Sequence, residues 1–241
     1  MTNDNLTVFM HIPKTGGTTL NDIFRKQYLF GEIFDHDSLK GIKKTIDKVT
    51  MEEKKNIKAI AGHYFYGIHQ HFQKPYTYFT MMREPIDRVL SAYYFLQNYP
   101  GYERVKNMSL AEFVLQEPEA NNMQTKLVSG QMFNPTLEKA KENLKAFKAV
   151  GITESFNESL VLFKKEFDWK NIYYTKQNIT KNRRKKQEIP SSDINLIRKH
   201  NALDLELYEF AKQLFYQKLT TLTIDEQKEL QKIKEQQNKL S

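Results

Sequence analysis

Short apolar, β-prone runs alternate with segments of helical spacing along most of this chain. Residues 6–11 (LTVFMH) form the first such run, and Leu20, Ile23, Phe24 and Tyr28 follow at intervals that put them on one side of a helix. Similar runs recur at 57–62 (IKAIAG), 76–82 (YTYFTMM), 147–152 (FKAVGI) and 171–175 (NIYYT). Helical patterning occupies 86–97, 109–117, 136–146 and 154–167, and it resumes after Pro190 to the end. This alternation predicts an α/β fold: a P-loop-like, three-layer domain with a mostly parallel central sheet flanked by helices, and a helical C-terminal extension. No internal repeat, low-complexity block or Gly/Ser linker interrupts it, so 1–220 reads as one domain and 221–241 as the extension. Thr223-Ile-Asp-Glu226 reads as a capping box opening the last helix, whose large apolar residues are Leu230, Ile233 and Leu240. Docking on the domain, pairing with another chain and fraying in solvent all fit that helix.

Composition narrows the class. The 241 residues are 39% hydrophobic and 27% charged, enough for a sizeable core. No apolar run approaches the roughly 18–20 residues that cross a bilayer. The opening MTNDNLTVFMH lacks a basic segment followed by an apolar one, so no secretory signal is expected. With no cysteine, disulfides, thiolate catalysis and Cys-ligated metal are excluded, and a cytoplasmic setting is expected. The net charge of +8 suits an anionic ligand, although a Lys-rich solvated surface gives the same number. The clearest basic run, 181–186 (KNRRKK), is short and has no accompanying nucleic-acid motif, so no nucleic-acid partner is expected.

Two segments at strand ends carry candidate chemistry, since ligands of α/β sheets bind beyond the carboxyl ends of the strands. The first is Pro13-Lys14-Thr15-Gly16-Gly17-Thr18-Thr19. Its glycines allow a tight turn and close backbone approach, and the helix start behind them favours an anion. Lys14 adds a full charge, and Thr15, Thr18 and Thr19 add hydroxyls. The lysine precedes the glycines, unlike the G-x-x-x-x-G-K-[ST] loop of nucleoside triphosphatases. The second segment runs from Arg83 through Pro85 to Ser91. Pro85 suits a first helical turn, leaving Arg83 at the strand end and Ser91 about two turns into the helix, where a guanidinium and a hydroxyl can grip a second phosphate. Arg88 has an alternative in an ion pair with Glu84 along the helix.

Taken together, these segments resemble the PAPS-dependent sulfotransferases, most closely the branch of the heparan sulfate 2-O- and 6-O-sulfotransferases and their bacterial relatives. His11-Ile12-Pro13-Lys14-Thr15-Gly16-Gly17-Thr18-Thr19 is similar to the branch's 5′-phosphosulfate loop, and Arg83-Glu84-Pro85 through Arg88 and Ser91 to its 3′-phosphate motif. Weaker matches are Gly62-His63, Asn122 with Gln124-Thr125-Lys126, Gly151 to Glu154 with Ser159, and Asn201 with Asp204 and Tyr208, so the likeness spans about 6–217. It implies an enzyme that moves a sulfuryl group from 3′-phosphoadenosine 5′-phosphosulfate (PAPS) to a hydroxyl acceptor, with adenosine 3′,5′-bisphosphate as product and no metal. The acceptor implied is a glycan or glycoconjugate. Lys14 and Thr15 to Thr19 would hold the 5′-phosphate, Arg83 and Ser91 the 3′-phosphate, and residues 178–186 fall where the family has a loop closing over the nucleotide. No N-terminal membrane anchor of the kind that Golgi members carry is expected.

Six histidines compete for the role of base. His63 follows a strand end and matches the branch's catalytic histidine, whereas His11 reads as a residue that packs or orients the loop. His69 and His71 do not make a recognised zinc spacing with His63, and His36 and His200 read as surface or helix-end residues. Asn122, Gln124 and Lys126 are candidates to line an acceptor pocket, the alternative being a polar helix face. Tyr64-Phe65-Tyr66 and Tyr93-Tyr94-Phe95 read as core, with Tyr64 or Tyr66 able to border an acceptor. An ATP-dependent phosphotransferase and a catalytically inactive nucleotide- or glycan-binding module are the competing readings.

Overall fold

Strand β1 (Leu6–Met10) is buried along its whole length, and its apolar run lacks polar alternation because a central parallel strand is covered on both faces. The structure is a computed structural model that describes residues 5–35, 46–175 and 186–240. β2 (Ile33–Asp35), β3 (Ala59–Gly62), β4 (Tyr76–Met82) and β5 (Ala149–Ile152) complete one all-parallel sheet, in the order β2-β3-β1-β4-β5. The helices are α1 (Gly17–Arg25), α2 (Met51–Asn56), α3 (Pro85–Leu96), α4 (Leu110–Gln116), α5 (Met123–Ser129), α6 (Leu137–Ala146), α7 (Phe156–Phe167), α8 (Ser191–His200), α9 (Ala202–Leu219) and α10 (Ile224–Leu240).

Alternate strand residues feed two cores. On one face Phe9, Phe79 and Ala149 meet Leu20, Ile23 and Phe24 of α1, Phe163 of α7 and Trp169. On the other, Val8, Met10, Ile60 and Val150 meet Leu127 of α5, Leu144 of α6, and Leu207 and Phe215 of α9. A third cluster joins Val89 and Leu90 of α3 to Phe113 of α4 and Ile197 of α8. The three-layer α/β architecture expected from the alternation is present.

Strand register decides what meets what. Met10 lies opposite Gly62 on one side and Thr80 on the other, and Met82 lies opposite Ile152. His11, His63, Arg83 and Thr153 therefore emerge along one edge of the sheet. The chain leaves β1 toward β2 and β3 on one side and reaches β4 and β5 on the other, making β1 the switch point at which such sheets open a crevice.

Three features differ from the sequence reading. Residues 171–175 form no strand: the carbonyls of Asn171 and Tyr174 accept from side chains, Gln27 Nε2 just past α1 and Gln237 Nε2 of α10, while Ile172 and Tyr174 are buried in the α1–α7 core. Side-chain amides do there what a neighbouring strand would have done. β2, only three residues long, was too short for periodicity to mark. α2 was also missed, although it carries a capping box of Thr50 and Glu53; α5, which a polar helix face through Asn122, Gln124 and Lys126 allowed for, has its start held by Asp204, about eighty residues downstream.

The capping box at Thr223 and Glu226 forms, and α10 docks on α7. Lys165–Glu226 and Lys234–Glu158 pair at 3.1 and 2.6 Å, and Ile233 is only 1% exposed. Ile233→Ala is accordingly expected to cost roughly 2–5 kcal/mol, read as a lower midpoint in chemical denaturation. A change below about 0.5 kcal/mol, as at exposed sites, would mean that the helix does not dock.

Candidate functional site

The loop after β1 is closed by its own hydroxyl. Thr15 is fully buried and its Oγ1 donates to the Ile12 carbonyl at 2.8 Å, so among the candidate ligand residues Thr15 is left with its backbone to offer. Lys14 and Gly16 adopt left-handed conformations, with φ of 69° and 81°. For Lys14 this is strained backbone, of the kind held only where surroundings over-determine it. Thr153 supplies such a tether: its Oγ1 lies 2.8 Å from the Thr15 carbonyl and 2.9 Å from that of Met82, tying the loop to the end of β4. At Gly17 only a hydrogen fits, because a Cβ would stand 1.8 Å from Nε2 of His11. α1 then begins with no side-chain cap and no acidic residue in its first turn, which leaves the positive end of its dipole suited to an anion. Thr18 is exposed and Thr19 buried at that end.

Lys14 and Arg83 are in direct contact. Arg83 Nη1 donates to the Lys14 carbonyl at 2.9 Å. The Lys14 ammonium sits 3.5 Å from the centre of the Phe95 ring, and Phe95 lies one helical turn past Ser91 on the same side of α3. Burial, and secondarily the neighbouring Arg83, push the Lys14 amine down to about 8. The ring face acts in the opposite sense by favouring the charged form, but burial wins. Phe95, read from sequence as core, packs against the α3–α4–α8 cluster and also faces Lys14, while Thr153 borders the same loop. A Y-Y-F run looks apolar whatever it faces, so the sequence carried no signal for the Lys14–Phe95 contact.

His63 is exposed and its Nδ1 lies 2.6 Å from the His11 carbonyl. A carbonyl can only accept, so Nδ1 carries the proton and the neutral ring keeps its lone pair on Nε2. The buried His11 ring stacks on Phe9 and approaches the His63 ring to 4.4 Å between centroids. One imidazole therefore backs both the loop and His63.

The remaining candidates divide. Gln124 is fully buried and its amide is committed to the Arg83 backbone, accepting from Arg83 N at 3.0 Å and donating to Arg83 O at 2.9 Å. Asn122 Oδ1 accepts from the backbone N–H of Asp204. Lys126 is half-buried between Asp204, Glu119 and Arg88, and burial holds its amine below the ordinary range. Ser91 is buried in α3. Arg88 does not pair with Glu84: it is fully buried, donates to the Glu119 carbonyl at 2.7 Å and faces Asp204. Glu84 instead caps α3 and pairs with Lys186 at 3.3 Å. His69 hydrogen-bonds the Tyr78 hydroxyl at 2.7 Å, away from His63, and His200 contacts Asn121. His36 and residues 178–185, including most of the basic run, lie outside the described residues. Among those described, no helix is long and apolar enough to cross a membrane.

The sequence model of a family described as the sulfotransferase family matches residues 1–211. Chicken (Gallus gallus) heparan-sulfate 6-O-sulfotransferase 2 is 25% identical over 309 aligned positions, spanning 98% of this chain and 73% of the relative. Human heparan-sulfate 6-O-sulfotransferase 3 is 30% identical over 191, covering 62% of this chain and 40% of its own. Among solved structures, a mouse sulfotransferase complexed with PAP aligns over 97% of this chain and 84% of its own at a TM-score of 0.38 and 13% identity.

The depressed Lys14 amine has a consequence for stability. Folding disfavours the ammonium, so its cost is present below the folded value of about 8 and is relieved as pH rises from there toward the unfolded value of 10.5. Lys14→Met is expected to melt higher than the parent at pH 7, with the gap narrowing between pH 8 and 10.5. A gap that stays constant across that range would mean that the amine is not depressed.

Proposed function

The chain belongs to the sulfotransferase family, and from that premise we propose that it transfers a sulfuryl group from PAPS to a hydroxyl of a carbohydrate. The Arg83–Lys14 contact carries this reading. It sets a loop lysine at a helix start beside a strand-end arginine, two cations that suit one nucleotide phosphorylated at both 5′ and 3′ positions. Two cations held side by side in a partly buried cleft are costly alone, and an anion between them recovers that cost.

In this reading Lys14, the backbone of Thr15, Gly16 and Gly17, and the Thr18 and Thr19 segment of α1 hold the 5′-phosphate. Arg83 and Ser91 hold the 3′-phosphate. PAPS supplies the activated sulfuryl group, and the reaction is an in-line displacement: the acceptor oxygen bonds to sulfur as the bond between sulfur and the departing phosphate oxygen breaks. Lys14 and the helix start neutralise the charge that grows on that oxygen, so they favour the transition state over the ground state. Nε2 of His63 takes the acceptor's proton, the tautomer being set by His11. The carbohydrate acceptor is supported by the relatives, named as heparan-sulfate 6-O-sulfotransferases, and a net charge of +8 suits an anionic glycan.

Labelled sulfate from PAPS is expected to enter one or more members of a glycan panel, with mass spectrometry locating the sulfate on a sugar hydroxyl. His63→Ala is expected to lower kcat by about 10²–10⁴-fold while the protein still binds adenosine 3′,5′-bisphosphate, and Lys14→Ala to abolish turnover. Nucleotide binding without incorporation into any acceptor would replace the enzyme by a binding module.

A further inference from the structure

We propose that Gln124 is a positioning residue for 3′-phosphate recognition, clamping the backbone of Arg83 so that its guanidinium stays over the Lys14 loop. Arg83 follows the last residue of β4, beyond the ladder that pairs Met82 with Ile152. Its N–H and C=O have left the sheet, and such groups need partners when they are shielded from water. Gln124 meets both with one side-chain amide, Oε1 accepting at 3.0 Å and Nε2 donating at 2.9 Å. A primary amide reproduces the two-bond pattern of a paired peptide, so Gln124 extends the sheet by one residue where no strand is present.

The clamp is itself anchored. The backbone N–H groups of Gln124 and Thr125 donate to the two oxygens of Asp204 at 3.1 and 2.7 Å, and Asp204 is fully buried on α9. One turn later on α9, the Tyr208 hydroxyl donates to Glu154 at 2.8 Å. The other oxygen of Glu154 accepts from the Glu84 N–H at 3.0 Å. Three successive backbone groups of the Arg83–Glu84 corner are thus held, through Gln124 and Glu154, by two side chains of one helix. With its backbone fixed, Arg83 needs to order little more than its own side chain to bridge to the loop, which lowers the cost of binding an anion there.

This inference rests on the nucleotide reading above. Its test compares adenosine 3′,5′-bisphosphate with adenosine 5′-phosphate by calorimetry, the ratio of their Kd values isolating the 3′-phosphate. In wild type the bisphosphate is expected to bind much the tighter. In Gln124→Leu the ratio is expected to fall by about tenfold, because Arg83 loses its fixed geometry. General destabilisation lowers the melting temperature and weakens both ligands alike, leaving the ratio where it was. Should Gln124→Leu fail to fold, Tyr208→Phe carries the same test with an expected fall of about threefold. A folded variant with the wild-type ratio overturns the role given to the clamp. A wild-type ratio near one would instead remove Arg83 from 3′-phosphate recognition, and this inference with it.

Discussion

The hydrogen bond from the Arg83 guanidinium to the Lys14 carbonyl joins the two candidate phosphate-binding segments. Lys14 belongs to the turn after β1 and Arg83 to the turn after β4, and the strands are neighbours in the sheet. Parallel pairing brings their ends to one edge, but it does not decide how two loops meet. The bond does, with Thr153 adding a second tether between the Thr15 and Met82 carbonyls. The left-handed backbone of Lys14 is the local strain that these contacts sustain.

Conflict between stability and chemistry concentrates at the same place. An ammonium half-buried beside a guanidinium is disfavoured by desolvation and by like charge, and the amine is depressed for those two reasons. Phe95 offers its ring face as partial compensation. Energy of this kind is released when an anion arrives, so a costly arrangement of two cations favours binding of a negatively charged ligand.

His11 and α9 show how distant parts of the fold set the site without touching a ligand. The His11 ring fits only because residue 17 is glycine, and its carbonyl fixes the tautomer of His63. Asp204 and Tyr208 act through α5 and Glu154 on the backbone around Arg83. Arg88, fully buried and facing Asp204, supplies the opposite charge that such a buried carboxylate needs.

The α/β class, four of the five strands and the long helices were legible in the sequence, because β1 and β4 are β-prone runs broken only by threonine and Leu20, Ile23 and Phe24 repeat at helical spacing. The sequence also put Lys14, the paired glycines, Arg83 and His63 at strand ends, and the structure brings those ends to one edge of the sheet. Tertiary structure alone decided the rest. Gln124, read as a pocket residue or part of a polar helix face, bonds the Arg83 backbone, Arg88 turned inward rather than along its helix, Phe95 faces Lys14 as well as the core, and 171–175 joined no sheet. The reason is common to all four: periodicity and local spacing report which side chains share a face, whereas the partner of a buried polar or aromatic group is set by elements tens of residues away. Asp204 meets α5 only after the chain has crossed the sheet and returned.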